Sequence, residues 1–209
     1  MKFKAIVIGV SAGGLEALKQ ILPDLPANFP VPIIVVQHRH PYSDDSLERA
    51  MDDICKIRVQ QINDKTAINK GVAYFAPPNY HVMIEEDMTF SLTLDPPVNY
   101  SRPSIDVLFE SASEIFGKQL IGIILTGANK DGSLGVSIIK KRGGVVIVQE
   151  PETASVDAMP LAAIASTKVD YILTLEMIAE MLTQVFINQK PEEAQEQYFS
   201  NHRLGHTYH

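Results

Sequence analysis

The stretch Lys4-Ala5-Ile6-Val7-Ile8-Gly9-Val10-Ser11-Ala12-Gly13-Gly14 decides how the rest of the chain is read. Lys4 to Val10 is a β-branched apolar run without polar alternation, which suits a central parallel strand buried on both faces. Ser11 to Gly14 is a turn of small residues. Leu15, Leu18 and Leu22 then recur at helical spacing until Pro23 and Pro26 end the helix. The two opening lysines and the short apolar run superficially resemble a secretion signal. The run is too short and closes in a Gly-rich turn that a strand would need, so it is read as strand one.

Downstream, apolar strands keep alternating with helical patterns. Pro32 to Gln37 reads as a second buried strand, ending at Gln37-His38, and Asp45 to Ile54 as a charged amphipathic helix. Ile57 to Ile62 is a further short strand. Val72 to Ala76, His81 to Glu85 and Thr89 to Leu94 are short strands separated by Pro77-Pro78-Asn79 and Glu86-Asp87-Met88. They are expected to form antiparallel hairpins at one edge of the sheet. Ser104 is placed as the N-cap of a helix running to about Phe116. Leu120 to Leu125 is a very apolar strand, Gly132 to Lys141 a helix closed by Gly143-Gly144, and Val145 to Gln149 another strand. A short helix at Pro160 to Ala165, a strand at Tyr171 to Leu173 and a helix at Leu175 to Asn188 complete the pattern. This alternation implies an α/β fold: a doubly wound, mostly parallel sheet with helices on both faces and right-handed crossovers. One domain is expected over residues 1–188, followed by a polar, proline-led tail at 189–209 that is expected to be flexible.

Composition narrows the function classes. At 209 residues, with 45% hydrophobic and 21% charged residues, the chain is an ordinary globular domain. A net charge of −7 argues against an electrostatic nucleic-acid binder. No apolar run approaches the roughly 20 residues of a membrane span. The single cysteine, Cys55, excludes an intrachain disulfide and points to the cytoplasm; it is read as a small buried residue on a helix. His202, His206 and His209 are close together in the tail, where incidental histidines are commoner than a metal site.

The turn at Ser11 matches one of three functional templates. A dinucleotide fingerprint needs a glycine where Ser11 stands and an acid at the end of strand two, where this chain has Gln37-His38. A phosphate loop needs a Gly-Lys-Ser/Thr ending, which is absent. The G-x-S-x-G nucleophile elbow is met by Gly9, Ser11 and Gly13, in the strand–turn–helix context that raises a serine hydroxyl at the carboxyl end of a sheet. A serine that merely caps the following helix is the bland alternative. A serine hydroxyl needs a base within hydrogen-bond reach, and the base needs an orienting acid. His38 directly follows strand two, with His40 as a rival base two residues on. Asp131 follows the apolar strand from Leu120, where its bland role would be to cap a helix. Ser11, His38 and Asp131 thus stand at three strand ends, where an open parallel sheet gathers its functional groups. Their joint placement favours a Ser–His–Asp hydrolase.

These residues resemble the catalytic domain of the chemotaxis protein-glutamate methylesterases (CheB type), over about Lys4 to Leu182. The resemblance is carried by Ile8-Gly9-Val10-Ser11-Ala12-Gly13-Gly14, Gln37-His38, Ala76-Pro77-Pro78-Asn79-Tyr80-His81 and Pro96-Pro97-Val98-Asn99. It continues in Arg102-Pro103-Ser104-Ile105-Asp106-Val107-Leu108-Phe109, Leu125-Thr126-Gly127, Asp131-Gly132, Gly143-Gly144 and Met159-Pro160. It implies Ser11 as nucleophile, His38 rather than His40 as base, and Asp131 as orienting acid, with no metal or organic cofactor. It further implies hydrolysis of γ-glutamyl methyl esters, and deamidation of glutamines, on the cytoplasmic helices of methyl-accepting chemoreceptors. Three positions depart from the family pattern: Ala12 for a threonine, Ala128 for a methionine and Asn129 for a frequent glycine. They leave the three site residues intact and alter the rim.

Many family members also carry an N-terminal phosphorylatable receiver, for which these 209 residues have no room. Regulation is then expected from a separate protein, from none, or from a longer chain of which this is a fragment. Arg102 is read either as a contact for substrate carboxylates or as a surface or capping residue. The rival from another class is a non-catalytic signalling or docking module on the same fold, against which intact Ser11, His38 and Asp131 speak.

Overall fold

The computed structural model describes residues 3–187. The tail at 189–209, with its three histidines, lies outside them. Seven parallel strands form the central sheet: β1 (Ala5–Val10), β2 (Ile33–Gln37), β3 (Arg58–Gln61), β4 (Val72–Phe75), β7 (Leu120–Ile124), β8 (Val145–Gln149) and β9 (Tyr171–Leu173), in the order β3-β4-β2-β1-β7-β8-β9. β5 (His81–Ile84) and β6 (Phe90–Thr93) pair antiparallel as a separate hairpin. The helices are α1 (Gly14–Ile21), α2 (Ser46–Ile54), α3 (Ile105–Phe116), α4 (Ser133–Lys141), α5 (Ala158–Ser166) and α6 (Leu175–Ile187).

β1 is central, and all six of its residues are buried. Its side chains divide by strand alternation between two cores. Ile6, Ile8 and Val10 pack with Leu18, Ile21, Ile178 and Leu182 on the α1/α6 face. Ala5 and Val7 join Leu108, Phe109, Val136 and Met159 on the α3/α4/α5 face, which the hairpin residues Val82 and Phe90 extend. The absence of alternation in the sequence thus reflects a strand covered on both sides.

Two sequence expectations are corrected here. Val72–Phe75 is not half of a hairpin with His81–Glu85; it lies between β3 and β2, parallel to both. Pro77-Pro78-Asn79 is therefore a link from the sheet to the hairpin, and only 81–84 and 90–93 form antiparallel strands. Cys55 stands just past the end of α2 and is half-buried, with burial and then the Asp52 charge pushing its thiol up to about 11.

Chain direction across the sheet reverses at β1. β2 lies on one side of it and β7 on the other, so a crevice opens at their carboxyl ends. Ser11, His38 and the β7–α4 loop converge on that crevice.

Candidate active site

The elbow is fixed from three directions. The Ser11 N–H donates to Thr126 O at 3.0 Å and the Gly14 N–H to Ser11 O at 2.9 Å, which closes the turn. Gly13 sits at φ +77°, a left-handed conformation that disfavours L side chains; an added Cβ would also come within 2.6 Å of Ser155 Cβ. Thr126 Oγ1 donates to Ala12 O at 2.8 Å and accepts the Val156 N–H at 2.9 Å, joining the elbow to the loop before α5. Gly127 is compelled by space: a Cβ there would stand 3.0 Å from Ser11 Cβ and 2.8 Å from Met159 Sδ. Among the described residues, no acceptor takes the Ala12 or Gly13 N–H, and none bonds to Ser11 Oγ. The hydroxyl is half-buried and uncommitted at the crevice.

His38 is held beside Ser11 by strand register. Val10 pairs with Gln37 in the sheet, and the His38 N–H donates to Val10 O at 3.0 Å. Gln37 Nε2 donates to both Ser11 O and His38 O, each at 2.9 Å, bridging the two segments from behind. The next residue anchors the loop: Arg39 makes a buried ion pair with Glu48 of α2 and donates to Ala76 O at 3.2 Å. His40 is different. It is exposed, its Nδ1 accepts the Tyr42 N–H at 3.4 Å, and its ring lies 5.4 Å from that of Tyr42. His38, not His40, faces the acid.

Asp131 is fully buried and hydrogen-bonded to His38 Nε2 at 2.9 Å through Oδ2. The same Oδ2 accepts the Ile105 N–H at 2.7 Å. Oδ1 accepts Ser104 Oγ–H at 2.8 Å, the Asp106 N–H at 3.2 Å and Asn99 Nδ2–H at 3.4 Å. Asp131 therefore caps α3, not the helix that follows it, whose N-cap is Gly132 at φ +95°. Ser104 occupies the N-cap position of α3 but gives its hydroxyl to Asp131 instead of accepting a backbone N–H. Burial drives the Asp131 pKa up. Hydrogen bonds from His38, Ile105 and Ser104 outweigh it and hold the carboxyl below its ordinary 3.8. Asp131 is ionised at neutral pH, and a carboxylate can only accept, so His38 donates Nε2–H in this bond and presents its Nδ1 edge away from the acid.

Several neighbours escaped sequence reasoning in these roles: Gln37 as bridge, Thr126 as tie, and Asn99, Ser104 and Asp106 around the acid. Each works through long-range contact, which local spacing does not reveal. Arg102 is occupied structurally, donating to Asn79 Oδ1 at 2.7 Å, Leu94 O at 2.8 Å and Asp95 O at 3.1 Å. Ala12 and Ala128 are both exposed, so the departures at these positions fall on the rim. Among the described residues, no group of three His, Cys, Asp or Glu side chains could hold a metal ion, and no helix is long and apolar enough to cross a membrane.

The model of the CheB methylesterase family matches residues 6–182. The chain belongs to the CheB methylesterase family. A relative from Leptospira interrogans is 51% identical over 185 residues, covering 88% of this chain and 96% of the relative. Relatives from Clostridium acetobutylicum and Thermotoga maritima are each 36% identical, over 182 and 185 residues, and are named protein-glutamate methylesterase/protein-glutamine glutaminase. They cover 87% of this chain, which spans 53% and 54% of their own lengths. The crystal structure of the Thermotoga maritima CheB methylesterase catalytic domain superposes with a TM-score of 0.85 at 36% identity, covering 88% of this chain and all of that one. The CheB catalytic-domain fold accounts for the parallel sheet and the separate hairpin.

Proposed function

We propose that this chain is a serine hydrolase that demethylates glutamate γ-methyl esters, and deamidates glutamines, on the cytoplasmic helices of chemoreceptors during chemotactic adaptation. The observation that carries the catalytic reading is the His38 Nε2–Asp131 Oδ2 contact of 2.9 Å on a segment that strand register and the Gln37 bridge set next to Ser11. The reaction on glutamate esters and glutamines is taken from the names of the relatives, and the chemoreceptor helices from the family resemblance.

His38 Nδ1 takes the Ser11 proton as Oγ attacks the ester carbonyl. Asp131 keeps the imidazole in the Nε2–H tautomer and stabilises the imidazolium that forms. The Ala12 N–H follows the nucleophile directly and has no other acceptor among the described residues, so it suits the tetrahedral oxyanion. The imidazolium returns its proton to the departing methoxide, and methanol leaves. Water, deprotonated in turn by His38, hydrolyses the glutamyl-enzyme to glutamate and free Ser11. An amide follows the same path with ammonia as leaving group. The site of action is the cytoplasm, where the receptor helices lie.

Methanol release from methylated receptor, compared between wild type and Ser11→Ala, tests this reading. The variant is expected to fall to the uncatalysed background and to lose labelling by a fluorophosphonate. Full activity in Ser11→Ala would refute the nucleophile. A wild type that neither releases methanol nor takes the label would favour the docking-module reading.

A further inference from the structure

Behind the acid lies a second buried carboxylate that the mechanism above does not use. Asp106 is the second residue of α3 and only 5% exposed. Its Oδ1 accepts the Gly135 N–H, in the first turn of α4, at 2.7 Å. Its Oδ2 accepts Asn99 Nδ2–H at 2.8 Å, and the same Nδ2 also reaches Asp131 Oδ1 at 3.4 Å. The two aspartates thus cap each other's helices: Asp131, on the loop leading into α4, takes N–H groups of α3, while Asp106 of α3 takes one of α4. Asn99 spans both carboxylates from a tight turn closed by Val98 and Ser101, in which Asn99 and Tyr100 have φ of +49° and +62°. Two non-glycine residues in left-handed conformations are a strained arrangement, held where the chain meets the acid.

We propose that Asp106, bridged by Asn99, is a positioning residue that fixes the orientation of the Asp131 carboxylate towards His38. The inference rests on the hydrolase reading given above and identifies what holds its acid in place. Asp131 comes from the β7–α4 loop with His38 behind it, α4 meets the carboxyl through the Gly132 and Gly135 backbone, and His81 of β5 accepts the Ser104 N–H at 3.1 Å. Burial, opposed by the Gly135 N–H and assisted by the charge of Asp131, pushes the Asp106 carboxyl up to about 6. The coupling is reciprocal: what Asp131 does to Asp106, Asp106 does to Asp131.

Two substitutions separate positioning from folding. In Asp106→Asn the amide oxygen must stay on the Gly135 N–H, which turns the new NH2 towards Asn99 Nδ2. Asn99 can satisfy it only by flipping, and its oxygen then faces Asp131. Asn99→Gly removes the bridge alone and tolerates the left-handed backbone.

The experiment measures kcat and KM against pH, with a peptide carrying a glutamyl γ-methyl ester, and follows the Asp106 carboxyl by carbon-13 NMR. Expected for both variants is a kcat about tenfold lower with KM within about twofold. Loss of the Asn99 bond should raise the Asp106 midpoint in Asn99→Gly, and Asp131→Asn should lower it. Folded Asn99→Gly enzyme with wild-type kcat and pH profile would overturn the proposal, even if Asp106→Asn fails to fold. So would an Asp106 midpoint unmoved by Asp131→Asn. Failure of the hydrolase reading looks different: Ser11→Ala would be as active as wild type, and the carboxyl titrations would still decide whether the two aspartates are coupled.

Discussion

Replacing Asp131 with asparagine keeps the size and shape of the side chain and changes only its acceptors and charge. Oδ2 now serves His38 Nε2 and the Ile105 N–H; Oδ1 serves Ser104 Oγ, the Asp106 N–H and Asn99 Nδ2. An asparagine must put its NH2 at one of these places. At the first it faces the Ile105 N–H, and at the second the Asp106 N–H. Neither backbone donor can turn away, whereas the hydroxyl and the imidazole can adapt. Either orientation leaves one buried N–H unmet, at a cost of about 1–3 kcal/mol. For a domain of this size, a loss near 2 kcal/mol lowers Tm by about 4–8 °C. A fold with ordinary reserves of about 5–15 kcal/mol stays folded after that loss. The rate should suffer far more: with the NH2 facing Nε2 the imidazole takes the tautomer with its proton on Nδ1, the nitrogen needed as base, and in either orientation the charge that stabilises the imidazolium is gone. The expected drop in kcat for methanol release is about a thousandfold or more. Melting curves alongside steady-state kinetics check both magnitudes. Retention of more than a tenth of the wild-type kcat would refute the role assigned to Asp131; an unchanged Tm would refute the capping argument.

His38→Ala should lower kcat by about a thousandfold or more, while His40→Ala, whose exposed ring meets Tyr42, should stay within about threefold; comparable losses in both would undo the choice of base. Gly13→Ala forces a side chain into the left-handed region and against Ser155, and should cost about 1–3 kcal/mol by urea unfolding with slower fluorophosphonate labelling of Ser11. For pH, Asp106 is raised from 3.8 to about 6, so its protonated form is the one favoured by folding. Its contribution is complete below 3.8 and is lost as pH rises through 6. The depressed Asp131 acts in the opposite sense and titrates only below 3.8, outside that window. Urea midpoints at several pH values from 4.5 to 7.5 should therefore fall for wild type and flatten for Asp106→Asn; parallel curves would contradict the assignment.

Much of the fold can be read from residue patterns because buried parallel strands leave an unbroken apolar signature, as in Ala5–Val10 and Leu120–Ile124. Val72–Phe75 carried a weaker version of it. Three of its four residues are fully covered, yet its brevity and the following Pro77-Pro78-Asn79 resemble a hairpin turn. Ser11, His38 and Asp131 were legible as strand-end residues because topology brings strand ends together. How Asp131 is used was not. Its position before a helix suggests a cap for that helix, but the donors it meets belong to α3, which only the packing of α3 on α4 supplies. The same holds for Gln37, whose role as bridge depends on β1 and β2 being neighbours.

The capping duty of Asp131 separates two kinds of constancy among descendants of such a chain. A copy that abandoned hydrolysis would still need Asp131 to close the start of α3, so its survival says as much about folding as about chemistry. Ser11 bears no comparable duty: its hydroxyl bonds to nothing among the described residues, and the residue is only partly buried. Drift away from catalysis would erase the nucleophile first and leave the acid standing, which makes Ser11 the more informative of the two when a sequence of this kind is judged active or silent.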